Sequence, residues 1–332
     1  MNYRILQLVL AVLLVRFCQS LNLTALPALA NFSDPSLVYD SSSSNWYAFS
    51  TNEGGKNVPV AWSSDFIQWN RSPNDSLPSS SLPAWAKANG PVWAPDVSYN
   101  GSHFIMYYTA TLSDYPAHHC IGAAVSPNAT GPYSPLGKDP LICPSPTGQG
   151  NAYSPVIESN GTGGAIDAFG YMDSSQQRYI VYKIDGNSLN SNTGSDGVCG
   201  NNGTDTIPTP IMIVAVANDG ITPTGTGTPV QILGLDETDP EIIEAPSIMR
   251  LSNGTYVLFY SSGCFLTPEY TVKFAVAPSI IANYTKKGSF LVTGDNGLDA
   301  PGGLSVAADG KHLVYHANFQ GSRALYSGLI DS

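Results

Sequence analysis

Five segments of this sequence repeat one design, and that repeat constrains the fold more than any other feature. Asp34-Pro-Ser-Leu-Val-Tyr runs through a Ser-rich turn into Asn45-Trp-Tyr-Ala-Phe-Ser. Asp96-Val-Ser-Tyr-Asn-Gly101 runs into His103-Phe-Ile-Met-Tyr-Tyr108, and Asp167-Ala-Phe-Gly-Tyr-Met-Asp173 into Arg178-Tyr-Ile-Val-Tyr182. Glu244-Ala-Pro-Ser-Ile-Met passes through Asn253-Gly254 to Tyr256-Val-Leu-Phe-Tyr260. Gly303-Leu-Ser-Val passes through Asp309-Gly310 to His312-Leu-Val-Tyr315. Successive starts are 62, 71, 77 and 59 residues apart. Each copy reads as a strand, a tight turn and a second strand rich in Tyr, Phe, Val and Ile. Asn-Gly and Asp-Gly favour hairpins because both central residues of the turn need positive φ. The spacing leaves room for four short strands per copy. A four-stranded unit repeated five times predicts an all-β fold, a five-bladed β-propeller. The alternative is a β-sandwich whose strands resemble one another by accident. No amphipathic helix of helical period is visible, and 280–287 offers a turn or two. The loops 72–83 and 185–210 read as surface excursions, because the repeat resumes after each.

Composition agrees with this reading. Gly and Pro make up 57 of 332 residues and aromatics 10%, which excludes a coiled coil and argues against disorder. The net charge is −11 with only 14 Lys and Arg, so a nucleic-acid partner is not expected.

Residues 1–20 carry Arg4 followed by an apolar run to Val15, with small residues at Cys18 and Ser20. This predicts a secretory signal peptide cleaved near Ser20, leaving 21–332 as a single catalytic domain. A membrane anchor is the alternative, but the run is short and Arg16 interrupts it. Removal takes two Arg, so the net charge falls from −11 to −13. Ten sequons point to an extracellular glycoprotein: Asn22, Asn31, Asn70, Asn74, Asn100, Asn128, Asn160, Asn202, Asn253 and Asn283. Of five Cys, Cys18 lies in the leader, and an even four remain for two disulfides. Cys120 and Cys143 are close in sequence and are expected to pair, leaving Cys199 with Cys264.

The first four copies open with Asp34, Asp96, Asp167 and Glu244, where the fifth has Gly303. First strands of propeller blades line the axis, so these acids are expected to converge at one end of the channel. Clustered carboxylates repel, which raises at least one pKa. Glycoside hydrolysis uses that difference, with one acid protonated and one ionised. An Asp before Pro also caps turns, and clustered acids also bind calcium. Asp185-Gly-Asn187 and Ser195-Asp196 do not form an EF-hand loop. The residues alone do not assign roles among the four acids.

These residues also carry a resemblance. Phe32-Ser-Asp34-Pro-Ser36, Val92-Trp-Ala-Pro-Asp96-Val, Ala165-Ile-Asp167-Ala-Phe, Glu244-Ala-Pro-Ser-Ile and Leu313-Val-Tyr-His316-Ala resemble, in order, the blade motifs of glycoside hydrolase family 43. Ala168 stands where the third motif usually has Pro. The resemblance implies an inverting hydrolase of arabinosyl or xylosyl linkages. It implies Asp34 as general base, Asp167 as pKa modulator and orienter, and Glu244 as general acid. Asp96 becomes a pocket residue. Many members have a His near the start of the fifth repeat, beside a central metal ion; here Gly302-Gly303-Leu304 stands there. His316 is the remaining candidate for a structural Ca2+ in the channel and, with Trp93, Asp96 and Arg323, for contact with the substrate, or it packs beside Tyr315. No other cofactor is expected. Arg323 resembles a late Arg that reaches the pocket, with a solvated Arg as the alternative. Trp93 offers an aromatic wall for a sugar, or ordinary core.

The expectation is therefore a secreted, monomeric glycoside hydrolase acting on a polysaccharide or oligosaccharide, with arabinan or arabinose side chains preferred over xylan. Asp34 and Glu244 carboxyls are expected roughly 6.5–9.5 Å apart. A non-catalytic sugar-binding propeller is the rival from another class. A fructan-active relative would carry an Arg-Asp-Pro tripeptide, which this sequence lacks.

Overall fold

The computed structural model describes residues 21–24, 26–145, 157, 163–189, 199–201 and 206–330. The expected leader and the sequons at Asn160 and Asn202 lie outside the described residues, as does much of 185–210. Among the described residues, twenty strands form five antiparallel sheets of four. The first described strand is β1 (Leu21–Leu23), whose partner is the last described one. The first sheet holds β2 (Ser36–Asp40), β3 (Asn45–Phe49), β4 (Pro59–Ser63) and β5 (Asn70–Asp75). The second holds β6 (Val92–Tyr99), β7 (Phe104–Thr111), β8 (His119–Ser126) and β9 (Ser134–Pro135). The third holds β10 (Ala165–Met172), β11 (Arg178–Ile184), β12 (Ile211–Val216) and β13 (Val230–Leu233). The fourth holds β14 (Ile243–Arg250), β15 (Tyr256–Ser262), β16 (Thr271–Ala277) and β17 (Thr285–Leu291). The fifth holds β18 (Gly302–Val306), β19 (His312–Phe319) and β20 (Ser322–Ile330), and β1 completes it by pairing with β20. This is the predicted five-bladed β-propeller. Helix is confined to short 3-10 turns among the described residues.

Each second strand is packed on both faces by neighbouring blades. Every residue of β7 and β15 is buried, which explains the unbroken runs of Tyr, Phe, Val and Ile. The cores lie between blades. One joins Val38 and Phe49 to Met106 and Tyr108, and the next joins Tyr107 to Ile180 and Tyr182. Outermost strands turn polar, and Asn70 and Asn74 of β5 are exposed. All eight described sequons have an exposed or half-exposed Asn. The hairpin turns hold Gly101, Gly254 and Gly310 at positive φ, as Asn-Gly and Asp-Gly require. Both disulfides have the expected pairing, Cys120–Cys143 and Cys199–Cys264.

Candidate active site

At one mouth of the channel every inner strand begins with the same distortion. Asp34, Ala94, Asp167, Ala245 and Gly303 all have positive φ, between 40° and 58°. In blades two to five the ladder skips there, between Trp93 and Asp96, Ile166 and Phe169, Glu244 and Ser247, and Gly302 and Ser305. These are β-bulges, which bend a strand and re-aim its side chains at a rim. They correct one expectation. The four acids do not occupy equivalent positions. Asp34 and Asp167 sit on the bulge itself, Glu244 one residue before it, and Asp96 two after it. Trp93 is the counterpart of Glu244 in blade two. A one-residue step reverses which way a strand side chain points, so three kinds of position present different chemistry to one cavity.

The bulge N–H groups are tied around the ring to side chains on, or just past the end of, the preceding blade's second strand. Ala94 N donates to Thr51 Oγ1 at 3.0 Å, Asp167 N to Thr109 Oγ1 at 3.3 Å, and Gly303 N to Ser261 Oγ at 2.9 Å. Asp34 N closes the ring by donating to His316 Nδ1 at 3.0 Å. Blade three breaks the pattern. The corresponding residue is Lys183, paired with Ile166, and an ammonium accepts nothing. Ala245 N instead donates to Asp167 Oδ2 at 3.0 Å.

A cavity on the axis is lined by Asp34, Asp96 and Asp167 together with Ala94, Ala245 and Gly303. Asp34 is gripped on both oxygens. Arg323 Nη1 donates to Oδ1 at 2.8 Å and Thr51 Oγ1 to Oδ2 at 2.6 Å. Burial pushes this carboxyl up, but Arg323 foremost outweighs it and holds Asp34 below the ordinary carboxylate range. Arg323 is itself steadied over the Phe265 ring, 4.7 Å from its centroid. Asp167 behaves oppositely. Burial and then the neighbouring Glu244 charge raise it to about 8, against a smaller pull from Lys183. Glu244 accepts from Tyr270 Oη at 2.8 Å on Oε1 and from Lys183 Nζ at 3.2 Å on Oε2. The mouth thus joins an ionised carboxylate at Asp34 to a carboxyl pair, Asp167 and Glu244, that retains a proton near neutral pH.

Asp96 lies deeper. It is 5% exposed, accepts Gly170 N–H at 2.8 Å, and burial raises it to about 7. Trp93 is half-buried, with the His119 ring packed on it at 4.3 Å. His316 is fully buried, and burial lowers it to about 3, so it is neutral. Because Nδ1 accepts the Asp34 N–H, the proton sits on Nε2, whose N–H has no partner. A protonated nitrogen is a donor, so His316 does not fit the expected role beside a channel cation. Gly302 and Gly303 also have a reason to be small. A Cβ on Gly302 would overlap the Tyr270 ring, and one on Gly303 would lie 2.7 Å from His316 Nδ1. The elsewhere-usual His has no room. Among the described residues, the remaining His, Cys and carboxylate groupings of ligand size are His118 with Cys120–Cys143, and Glu241 with Cys199–Cys264. Disulfide sulfurs are not thiolate ligands.

Sequence reading missed Thr51, Tyr270, Phe265, Lys183, Asp185 and His119. One signal was available. Lys183 and Arg178 are the two charges in the otherwise apolar run Arg178–Ile184, and both are 1% exposed. A charge inside a buried strand is costly unless paired.

The family model of glycosyl hydrolases family 43 matches residues 25–328. Among solved structures, the chain is 22% identical to a thermostable family-43 glycoside hydrolase, with a TM-score of 0.70 and 93% and 92% of the two chains covered. It is 20% identical to an α-L-arabinanase of Cellvibrio cellulosa complexed with arabinohexaose, with a TM-score of 0.65 over 90% and 91%. It is 19% identical to an endo-1,4-β-xylanase of Bacteroides thetaiotaomicron, with a TM-score of 0.62 over 91% of each chain. These likenesses support the propeller fold. No curated protein sequence matches the chain.

Proposed function

The chain belongs to glycosyl hydrolases family 43, and from that premise we propose that it is a secreted, inverting hydrolase of arabinofuranosyl linkages in plant cell-wall polysaccharide. The observation that carries this reading is the unequal protonation of the mouth. Asp34 is held ionised by Arg323 and Thr51, while the Asp167–Glu244 pair retains a proton. Inversion needs that division of charge. In this reading Asp34 is the general base. It takes a proton from water as the water attacks the anomeric carbon. Glu244 is the general acid and delivers the pair's proton to the departing glycosidic oxygen. Asp167 orients Glu244 and exchanges that proton with it, tied to the same strand through Ala245 N–H. Trp93 supplies the wall against which a sugar ring rests, Arg323 fixes the base, and Asp96 supports the floor. No step passes through a metal.

The arabinan preference rests on the motifs and on the arabinanase among the structural likenesses; the xylanase among them supports the rival substrate. Incubation with debranched arabinan, arabinoxylan and xylo-oligosaccharides, read by product size and by the anomer first released, tests both. Arabinose or arabino-oligosaccharides appearing with inverted configuration are expected. Xylose products alone overturn the substrate, and saccharide binding without any cleavage favours the non-catalytic propeller. Secretion is tested by the N-terminus of protein recovered from the medium, expected near Leu21.

A further inference from the structure

Lys183 is the one second-strand residue that leaves the ring pattern, and what it does instead is specific. Thr51, Thr109, Ser261 and His316 each accept a bulge N–H of the following blade. The fold therefore asks for an acceptor at this position, and a threonine, a serine or a histidine supplies it elsewhere. Lys183 is 1% exposed, and its Nζ lies 3.2 Å from Glu244 Oε2 and 3.4 Å from Asp185 Oδ1. Asp185 Oδ2 lies 3.0 Å from His119 Nδ1, and the His119 ring packs on Trp93. A continuous polar chain thus runs from Glu244 through Lys183 and Asp185 to the aromatic wall.

We propose that Lys183 is a positioning residue that governs where the Asp167–Glu244 pair keeps its shared proton, with Asp185 as the counterweight that limits its pull. This rests on the proposed hydrolase reading for its catalytic meaning, but the control is a property of the free protein. Every group facing the pair bears on it. Glu244 meets Lys183 from β11 and Tyr270 from the segment before β16; Asp167 meets Glu244 across the blades and Asp34 across the axis. Lys183 in turn meets Asp185, which His119 backs and His118 flanks more distantly. A cation at 3.2 Å favours the charged carboxylate, so it drains the proton from Glu244 toward Asp167. Burial alone would discharge this lysine, but Glu244 and then Asp185 outweigh it and hold it charged. With a second carboxylate at similar distance, the ammonium is shared.

The test compares three variants. Lys183→Thr gives the position the same acceptor chemistry that Thr51 and Thr109 supply, so it suits the fold while removing the cation. Lys183→Arg keeps the cation. Asp185→Asn removes the counterweight. Two readouts are followed: 13C-carboxyl titration of the ligand-free protein labelled on Asp and Glu, and the alkaline limb of kcat/KM on arabino-oligosaccharide. Lys183→Thr should let the pair hold its proton to higher pH, moving both by about one pH unit, the lower end for loss of an adjacent charge. Asp185→Asn leaves Lys183 less neutralised and should move both the other way. Lys183→Arg should stay with the parent protein. If Lys183→Thr and Asp185→Asn move the titration in the same direction, or neither moves it, the proposal is wrong. If the parent protein cleaves no saccharide, the hydrolase reading fails on its own, and the carboxyl titration still decides this one.

Discussion

The two mouths of the channel are built from the same five inner strands and have little else in common. At the strand starts, the ladders break into bulges, backbone runs at positive φ, and buried ions cluster around a small cavity. At the strand ends, the hairpins pair residue for residue, as Tyr99 with Phe104 and Arg250 with Tyr256. The opening there is wider, yet its wall is largely apolar, with Val97, Ile248, Met249 and Val306 between scattered polar groups. Size is a poor guide to the working end. Backbone strain is a better guide, because it costs stability and persists only where the surroundings enforce it.

That contrast can be broken by substitution, and the largest effects belong to the strained mouth. On the proposed mechanism, Asp34→Asn keeps the shape but removes the acceptor for water's proton, so hydrolysis should fall about 10²–10⁴-fold on every substrate. Glu244→Gln should fall as far on natural linkages and much less on an aryl glycoside, whose leaving group needs little protonation. Equal loss on both substrates, with Asp167→Asn sparing the aryl glycoside, would exchange the two roles. Next in size is a change at the other mouth. Ile248 is 2% exposed there, and Ile248→Ala should cost about 2–5 kcal/mol of stability. Its kcat/KM, measured well below the melting temperature, should match the parent; a drop would show that the mouths are not independent.

A smaller effect has the opposite sign. The Asp167 carboxyl rises from the ordinary 3.8 to about 8 in the folded protein. Between those values the unfolded chain has released its proton and the folded chain has not, so stability drains as pH rises through the window. Asp167→Asn carries no such proton. It should melt a few degrees above the parent at pH 8 and show no advantage near pH 3.5. Activity should fall meanwhile. A variant less stable at pH 8 would mean that Asp167 is ionised in place. Smallest of all is Tyr99→Ala at the apolar rim, where the ring is 48% exposed; stability should stay within about 0.5 kcal/mol with hydrolysis unchanged.

The legible part of the sequence maps onto the same division. Hairpins such as Asn253-Gly254 declare themselves because turn geometry admits few residues, and doubly buried second strands declare themselves by continuous Tyr, Phe and Val. From these the propeller followed, and Asp34 and Asp167 were found with it. The bulges were not legible, since Ala94, Asp167 and Ala245 adopt a backbone that nothing in an isolated residue type announces. So the acids were expected in one phase, and they occupy three. Asp185 was met only as part of a poor calcium loop, because its partner Lys183 is two residues away on the strand while His119 is 66 away. The joining of β1 to β20 was also unread, for three residues of Leu-Asn-Leu carry no signal of a partner 300 residues on.

That joining sets the order of events in the life of the molecule. Leu21 pairs with Ile330, and Thr24 Oγ1 donates to Ser327 O across 303 positions. Synthesis at about 5–20 residues per second leaves roughly 15–60 s between making the first strand and making its neighbour. During that time blade five is missing, blade one has an uncovered flank, and His316 and Arg323 have not yet reached Asp34. Any earlier blade that folds does so against an open edge. The ring is completed, and the Asp34 environment with it, only when the last strand of the chain arrives.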